Sequence, residues 1–164
     1  MTDLIHAVPL TEDAFRPFGD VIAASGTADM MINGGRCERF HNRARLEFSD
    51  GKAGISLFRS NASALPYTLT LMERHPIGSQ AFIPMGAIPY LVVVAEDDGG
   101  KPGRLHAFLA GPDQGVNYLA NTWHAPLIAL EDGALFAVVD RIGTGNNLQE
   151  VTLSSPVHVD VRGG

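Results

Sequence analysis

Apolar and polar residues alternate strictly at the start of the stretch YTLTLMERHPIGSQAFIP, which covers residues 67–84. Over Tyr67–His75 the alternation has a period of two, the spacing of a β-strand with two different faces. One face begins with a tyrosine and two leucines and ends with Glu73 and His75. If this face lines a core, the interior becomes polar at one end of the strand, where a small β-barrel holds a ligand site. The alternative is a strand that simply emerges into solvent at Glu73.

Short runs rich in β-branched and aromatic residues continue along the chain, separated by turn signals that contain Gly, Asp or Asn. These runs predict strands at Arg39–His41, Ala53–Phe58, Tyr67–His75, Gln80–Ile83, Tyr90–Val94, Leu105–Leu109, Gly115–Tyr118, Pro126–Ala129, Ala134–Asp140 and Val151–Leu153. The 18 glycines and 10 prolines scattered among them favour an antiparallel sandwich or barrel over alternating β–α units. Tyr90–Val94 is apolar on both faces, which predicts a central strand, and Ala134–Val139 is similar.

One short helix is predicted over Pro9–Gly19. Thr11 can cap it, and the acidic residues of its first turn suit the positive end of its dipole. Ala14, Phe15 and Phe18 would supply its apolar contact with the rest of the domain.

Length and composition narrow the classes of function. With 164 residues, 45% hydrophobic and 18% charged, the chain is predicted to be one all-β domain over residues 1–164. The net charge of −6 forms no basic patch, which argues against nucleic acid as a partner. The longest apolar run, Tyr90–Ala95, is too short to span a bilayer, and the first residues do not form a signal peptide. We therefore expect no membrane partner.

The single cysteine, Cys37, cannot form an internal disulfide, which favours a reducing, cytoplasmic location. A catalytic thiol would need a base such as His41, and a free, inert cysteine is the commoner case.

Two of the six histidines stand out beside His41. His75 follows Glu73 on the same predicted strand face. His124 follows the only tryptophan, Trp123, at the start of an apolar strand, where it could also be a structural side chain packed on that indole. The remaining three, His6, His106 and His158, are predicted to be solvated or exposed.

The spacing Glu73-x-His75-x4-Gln80, followed by a glycine, is similar to the first cupin motif, with Glu for its first histidine and Gln for its glutamate. Gly115-x8-His124 echoes the second cupin motif, shortened and without its proline and glycine. In cupins these positions converge inside a jelly-roll barrel and hold a divalent metal. The set Glu73, His75, Gln80 and His124 carries one negative charge, so it would hold nickel or manganese weakly, or no ion.

Longer motifs run in order from residue 18 to residue 141. They are Phe18-Gly19-Asp20-Val21, Ile32-Asn33-x-Gly35, Glu38-Arg39-Phe40-His41, Arg59, Glu73-Arg74-His75-Pro76, Gln80-Ala81-Phe82-Ile83-Pro84, Gly115-Val116-Asn117-Tyr118, Trp123-His124-x-Pro126-Leu127 and Asp140-Arg141. With these motifs the chain resembles the ureidoglycolate lyase family of allantoin breakdown, also called ureidoglycolate hydrolases. The resemblance implies a cupin-like double-stranded β-helix (a jelly-roll barrel), a homodimer, and release of urea and glyoxylate from (S)-ureidoglycolate. A divalent metal, Ni²⁺ or Mn²⁺, is the cofactor it suggests.

Ureidoglycolate bears a hydroxyl, a ureido nitrogen and a carboxylate on one carbon, and its cleavage by a lyase consumes no water. His75 or His124 is the expected base for the hydroxyl proton, with Glu73 orienting an imidazole or relaying the proton. If a metal chelates the substrate, the same histidines become ligands instead of bases.

The substrate carboxylate needs an arginine, because a planar guanidinium meets it with two hydrogen bonds. Arg59 is the first candidate and Arg39 the second. Asn33 and Gln80 could read the urea amide through hydrogen bonds.

Two other arginines are given structural roles. Arg74 points to the strand face opposite Glu73 and His75, which predicts a structural or dimer-interface ion pair. Arg141 is expected to pair with Asp140 at a strand end.

The leading hypothesis is thus a cytoplasmic lyase for a small anionic substrate, and three alternatives stay open. The first is hydrolysis of the ureido group with release of ammonia, although the chain offers no two-metal cluster. The second is a non-catalytic cupin-like module that binds a small acid. The third is a metal-dependent oxygenase built on His75, His124 and Glu73.

Overall fold

The computed structural model describes residues 3–162 and confirms an all-β chain with one short helix. The elements are β1 (Asp3–Pro9), α1 (Glu12–Phe15), β2 (Gly19–Ile22), β3 (Met30–Ile32), β4 (Cys37–Arg39), β5 (Lys52–Ser60), β6 (Tyr67–Arg74), β7 (Gln80–Pro84), β8 (Tyr90–Asp98), β9 (Lys101–Ala110), β10 (Gly115–Tyr118), β11 (Trp123–His124), β12 (Ile128–Ala129), β13 (Ala134–Ile142) and β14 (Gln149–Val161). Within residues 3–162, no helix has the length and apolar content that crossing a membrane requires.

The strands form two large sheets and one small hairpin. The larger sheet has the order β11-β6-β14-β1-β9-β8-β12, and β11 also pairs with β8, so six of its strands close into a ring. The smaller sheet has the order β2-β10-β7-β13-β5, while β3 and β4 pair only with each other. Pairing is antiparallel throughout, as expected, except that β1 runs parallel to both β14 and β9.

Strand β8 separates the two halves of the core. Tyr90, Val92 and Val94 pack into a cluster with side chains of the smaller sheet. The alternate residues, Leu91 and Val93 among them, pack into a second cluster inside the six-strand ring. A strand that is apolar on both faces is buried on both, so the prediction of a central strand at Tyr90–Val94 is confirmed.

The helix is shorter than predicted. Pro9 belongs to β1 instead, and Thr11 is the N-cap, accepting a hydrogen bond from the Ala14 N–H at 3.3 Å. Phe15 and Phe18 are buried as expected, but Ala14 is exposed, because one helical turn turns only part of its surface to the core.

Four strands lie outside the predicted set: β1, β2, β3 and the two-residue β11. Strand β14 is also far longer than the predicted Val151–Leu153. Strands β1 and β14 are formed by pairing between distant segments, from Asp3↔Val157 to Ala7↔Val161, and both are largely exposed. Residues 157–161 of β14 alternate between valine and polar residues, so this part of the strand carried a local signal that the prediction did not use.

The predicted faces of β6 hold only in part. Leu69 and Met72 are three residues apart, yet both are fully buried in the cluster inside the ring. Strict alternation breaks between them, where the pairing of β6 with β14 changes register between Thr152 and Val157. Strict alternation over Tyr67–His75 predicts that Met72 lies on the face opposite Leu69, and this prediction is wrong because of the register change.

Substitution of Phe136 tests the core between the sheets. Phe136 is fully buried, and its ring contacts the rings of Tyr90 and Phe82 at centroid distances of 5.0 and 6.4 Å. We expect Phe136→Ala to lower the free energy of unfolding by about 3–5 kcal/mol in urea titrations at fixed protein concentration. The matched control is Leu4→Ala, since Leu4 is 51% exposed, and it should change stability by less than about 0.5 kcal/mol. Equal losses in the two variants would contradict this account of the core.

Candidate active site

Four predicted site residues meet where three strands come together at one end of the core. Glu73 lies near the end of β6 and is the direct cross-strand partner of His124 on β11. His75 follows β6, and Gln80 opens β7. These residues, called here the Glu73 centre, derive from three segments of the chain that only the fold brings together.

Ligand atoms of Glu73, His75 and His124 all lie within 4.8 Å of one another. The His124 Nε2 is 3.4 Å from a Glu73 carboxylate oxygen, and the two imidazole rings are 5.2 Å apart at their centroids. His124 is fully buried, whereas Glu73 and His75 are half-buried. The spacing is that of side chains sharing one small ligand.

Backbone carbonyls fix the orientation of both imidazoles. The Nδ1 of His75 is 2.8 Å from the carbonyl oxygen of Asn147, and the Nδ1 of His124 is 2.9 Å from that of Thr122. A carbonyl oxygen only accepts, so each Nδ1 carries the hydrogen and each neutral ring keeps its lone pair on Nε2. Both Nε2 atoms are buried without a hydrogen-bond partner.

Gln80 adds a fourth acceptor. Its Nε2 donates to a carboxylate oxygen of Asp140 at 3.2 Å, which assigns the amide nitrogen and leaves Oε1 buried without a partner. The Gln80 side chain also interacts with His75. Two imidazole nitrogens, a carboxylate and an amide oxygen therefore come together, and none of these four atoms carries a hydrogen when both rings are in their neutral form.

Burial and mutual charge set the protonation of the centre. Burial, reinforced by nearby His124, lowers the pKa of His75 below its usual value. The interaction with His124 lowers the pKa of Glu73, against the opposing effect of burial. At neutral pH the centre therefore presents a carboxylate and the neutral His75 ring.

These four ligand atoms suit a divalent transition metal. Imidazole and carboxylate are ligands of nickel, manganese, zinc and iron, and the carbonyl bonds at Nδ1 are the outer contacts that orient metal-binding histidines. The four predicted metal ligands are thus brought together, and orphaned buried acceptors are the observation that favours a cation among them.

Sequence reasoning missed three supporting residues. Tyr118 stacks on His124 with ring centroids 4.2 Å apart and planes 10° apart, and burial raises the pKa of its hydroxyl. Asn147 holds His75 through its carbonyl and accepts a hydrogen bond from the Ile77 N–H at 2.7 Å through its side chain. Asp140 orients Gln80. Tyr118 and Asp140 each had a signal in the sequence, as the last residue of a predicted strand and as part of a family motif.

The predicted substrate residues other than Gln80 lie elsewhere in the chain. Arg59 is exposed on β5 and alternates with Phe58, whose ring packs on Phe82 of the core at 5.7 Å. It therefore points to the outer face of the smaller sheet. Arg39 and Asn33 belong to the exposed β3–β4 hairpin, where the Arg39 guanidinium contacts His41 Nδ1 at 2.9 Å. The structure does not bring these three to the Glu73 centre of the same chain.

Of the two arginines with predicted structural roles, one forms an ion pair as expected and the other pairs with a different partner. Arg74 forms an ion pair with Asp97 at 2.7 Å, so its structural role is confirmed. Arg141 does not pair with Asp140. Its guanidinium donates to Asp50 at 2.6 Å and to the Thr144 carbonyl, because Arg141 and Asp140, as neighbours on β13, point to opposite faces of the sheet.

The chain matches one protein family over almost its whole length. The sequence profile described as "Ureidoglycolate lyase" matches residues 2–160. A ureidoglycolate lyase from Rhodobacter capsulatus is 54% identical over 153 residues, which cover 93% of this chain and 95% of that protein. One from Rhizobium etli is 50% identical over 158 residues and covers 95% of each chain.

Solved structures share the fold at low sequence identity. ChmJ, a 3'-monoepimerase from Streptomyces bikiniensis in complex with dTDP-quinovose, matches with a TM-score of 0.51 and 13% identity, covering 90% of this chain and 73% of that chain. A dTDP sugar isomerase from Desulfovibrio desulfuricans G20 matches with a TM-score of 0.50 and 15% identity, covering 83% and 85%. The likeness concerns the fold alone and confirms the predicted cupin-like barrel.

Metal titration tests the four acceptors directly. Chelator-treated, dialysed protein should bind one Ni²⁺ per chain in calorimetric titrations, and Mn²⁺ more weakly. His124→Ala should weaken Ni²⁺ binding by at least about 100-fold, since even outer contacts of a metal site contribute 10–100-fold. His6→Ala, at an exposed histidine, is the control. Binding should also weaken as the pH falls, because protons compete for the Nε2 lone pairs. Unchanged Ni²⁺ affinity in His124→Ala would contradict the assignment.

Proposed function

The chain belongs to the ureidoglycolate lyase family, and from this premise we propose that it cleaves (S)-ureidoglycolate to glyoxylate and urea in allantoin and purine-nitrogen catabolism. The observation that carries the proposal is the Glu73 centre, in which two imidazole Nε2 atoms and an amide oxygen, all buried and unpartnered, converge beside a carboxylate. A small acid with a hydroxyl beside its carboxylate could chelate a cation held by such a centre.

The reaction is an elimination and balances without water. The hydroxyl proton of the substrate leaves, its oxygen forms the carbonyl of glyoxylate, and the bond from that carbon to the ureido nitrogen breaks. The departing nitrogen takes up a proton and urea is released. The protein must therefore remove one proton, deliver another and hold the carboxylate.

Two roles for the histidines follow from the geometry. Glu73, His75, Gln80 and His124 would hold a divalent ion, with Ni²⁺ and Mn²⁺ as candidates, and such an ion supplies Lewis acidity that lowers the pKa of the bound hydroxyl. Without an ion, the free Nε2 of His75 or His124 is the base. In both cases the carbonyls of Asn147 and Thr122 hold each Nδ1, so that the two Nε2 atoms are directed into the centre.

Several residues have roles in substrate binding under this proposal. Without an ion, Gln80 would accept a hydrogen bond from the urea amide through its unpartnered Oε1, and with an ion bound the same oxygen would be a ligand instead. For Arg59 and Arg39, binding of the carboxylate stays a prediction from the sequence, as does urea recognition by Asn33.

Product analysis separates this function from its competitors. Chelator-treated protein is incubated with racemic ureidoglycolate, with and without added Ni²⁺, and urea, glyoxylate and ammonia are followed. We expect equimolar urea and glyoxylate above the spontaneous rate, and a loss of at least about 100-fold in kcat/KM for Glu73→Gln. The matched control is Glu131→Gln, at an exposed turn position.

Each remaining outcome has a distinct meaning. Ammonia in place of urea would identify a hydrolase and overturn the lyase. Binding of the substrate without turnover in either condition would favour the non-catalytic binding module. Activity that requires Ni²⁺ makes the histidines ligands, and activity without it makes one of them the base.

We also propose that the protein is a homodimer formed through the outer face of the smaller sheet. Register places Ile83, Ala137 and Leu57 in one row across β7, β13 and β5, and the next row ends in Ile55. Ile55 is 77% exposed and Leu57 63%. A groove of about 420 Å³, lined mostly by apolar side chains, continues this surface. A contiguous apolar face of this kind marks an interface, and a two-fold axis would bury it against itself.

The same proposal includes a cytoplasmic location. The one cysteine, Cys37, is free and exposed, which suits a reducing compartment.

The dimer is tested by light scattering after size exclusion. The wild-type protein should elute with twice the 17.5 kDa mass of one chain, and Leu57→Glu should elute as a monomer, because it buries a charge at the centre of the face. Leu4→Glu, which alters an exposed leucine on β1, should stay dimeric. A monomeric wild-type protein at tens of micromolar would overturn the dimer and leave the reaction untouched.

A further inference from the structure

A cluster of polar contacts lies directly behind the Glu73 centre. The guanidinium carbon of Arg74 lies 4.4 Å from the centroid of the Trp123 ring, within the range of a cation–π contact. Its Nη1 donates to an Asp97 carboxylate oxygen at 2.7 Å, and the indole Nε1 of Trp123 donates to the same oxygen at 3.0 Å. Arg74 also donates to the Gln149 side chain at 2.7 Å. The first three residues are called here the Arg74 clamp.

The clamp and the centre are built on the same short segments. Arg74 stands between Glu73 and His75 in the sequence, and Trp123 directly precedes His124. Successive side chains of a strand point to opposite faces, so Arg74 and Trp123 meet on one face while Glu73 and His124 meet on the other. Anything that moves Trp123 relative to Arg74 moves His124 relative to Glu73.

Strand β11 needs this support because it is only two residues long. It lies between β6, where His124 is opposite Glu73, and β8, where Trp123 is opposite Ala95. The clamp joins the same three strands through side chains, since Asp97 lies on β8 just beyond the register shift that follows Ala95. Trp123 is buried and the Arg74 side chain is only 15% exposed, so the contact between guanidinium and indole is shielded from water, whereas the Asp97 side chain is 48% exposed.

We propose that Arg74 is a positioning residue: held by Asp97 over Trp123, it sets the distance between β6 and β11 and so the spacing of the ligand atoms of Glu73, His75 and His124. The inference deepens the proposed function and rests on it for the kinetic readout only. The spacing itself is measurable in protein without substrate or metal.

The test compares Arg74→Met, which keeps the length of the side chain without its charge, with Arg74→Lys, which keeps the charge without the planar fork. Arg16→Met is the matched control, because Arg16 forms only an exposed ion pair with Asp13. Each variant is examined for His ring ¹⁵N resonances, emission of Trp123, which is the only tryptophan, Ni²⁺ affinity, kcat and KM.

For Arg74→Met we expect altered His124 ring resonances and a changed Trp123 emission maximum, with His6 unaltered. Ni²⁺ affinity should fall about 10–100-fold, as for other outer contacts of metal sites. The value of kcat should fall at least about tenfold with a smaller change in KM, because misplaced groups lose rate before they lose binding. Arg74→Lys should lie between Arg74→Met and the wild-type protein.

A purely structural role would lower the melting temperature while leaving the resonances and kcat of the folded protein unchanged, and that result would overturn the proposal. If Arg74→Met does not fold, the same comparison is made with Arg74→Lys, and unaltered His124 resonances there count against it equally. If the wild-type protein does not turn over ureidoglycolate, the proposed function fails. The His124 resonances still decide the positioning role.

Discussion

The structure depends on the electrostatic cost of the Glu73 centre. There, four hydrogen-bond acceptors from Glu73, His75, Gln80 and His124 face one another, and three of the four are buried. Lone pairs brought together without a donor repel each other and lose their hydration. The arrangement is stable only if something positive or proton-donating fills it. Because Nδ1 of each imidazole is occupied by a backbone carbonyl, neither ring can relieve the repulsion by changing its tautomer. The folded protein therefore favours the binding of a cation or of a ligand with a hydroxyl group at this centre.

The fold meets this cost by holding the centre from all sides. Strand β8 is buried in both core clusters and pairs with β11, which carries His124. Tyr118 covers one face of His124, and Asp140 holds the amide of Gln80 in the orientation that exposes its oxygen. The ligands come from β6, β7 and β11, so their geometry depends on how these strands pack. Local propensity contributes little to a strand of two residues.

Much of the centre could be predicted from the sequence, because its information is local. Glu73 and His75 are two residues apart, Gln80 follows at a spacing typical of cupins, and the motif around His124 is recognisable by itself. The buried strand at Tyr90 was predictable for the same reason, since a run that is apolar on both faces has few other locations. Arg59 is different: its place on the outer face follows from the register of β5 with β13, which no short window contains.

The predictions that were wrong concern side chains whose positions depend on distant segments of the chain. Arg141 and Asp140 are neighbours in sequence, yet the partners of their side chains, Asp50 and Gln80, come from distant segments of the chain. Met72 departs from its expected face because β14, some eighty residues further along the chain, changes register beside it. The alternation of apolar and polar residues can be seen within one strand, whereas a register shift depends on two paired strands and cannot be seen in either one alone.

The parallel pairing of β1 with β14 has a consequence for the order in which the parts of the protein fold. Residues 3–7 pair with residues 157–161, so the six-strand ring cannot close before these two distant segments meet. Until then β1 has an unpaired edge, and the partners β6 and β8 of the short β11 lack the ring that braces them. Topologies dominated by such distant contacts fold slowly. The Glu73 centre is therefore expected to take its final geometry late in folding, once the strands of the ring have paired.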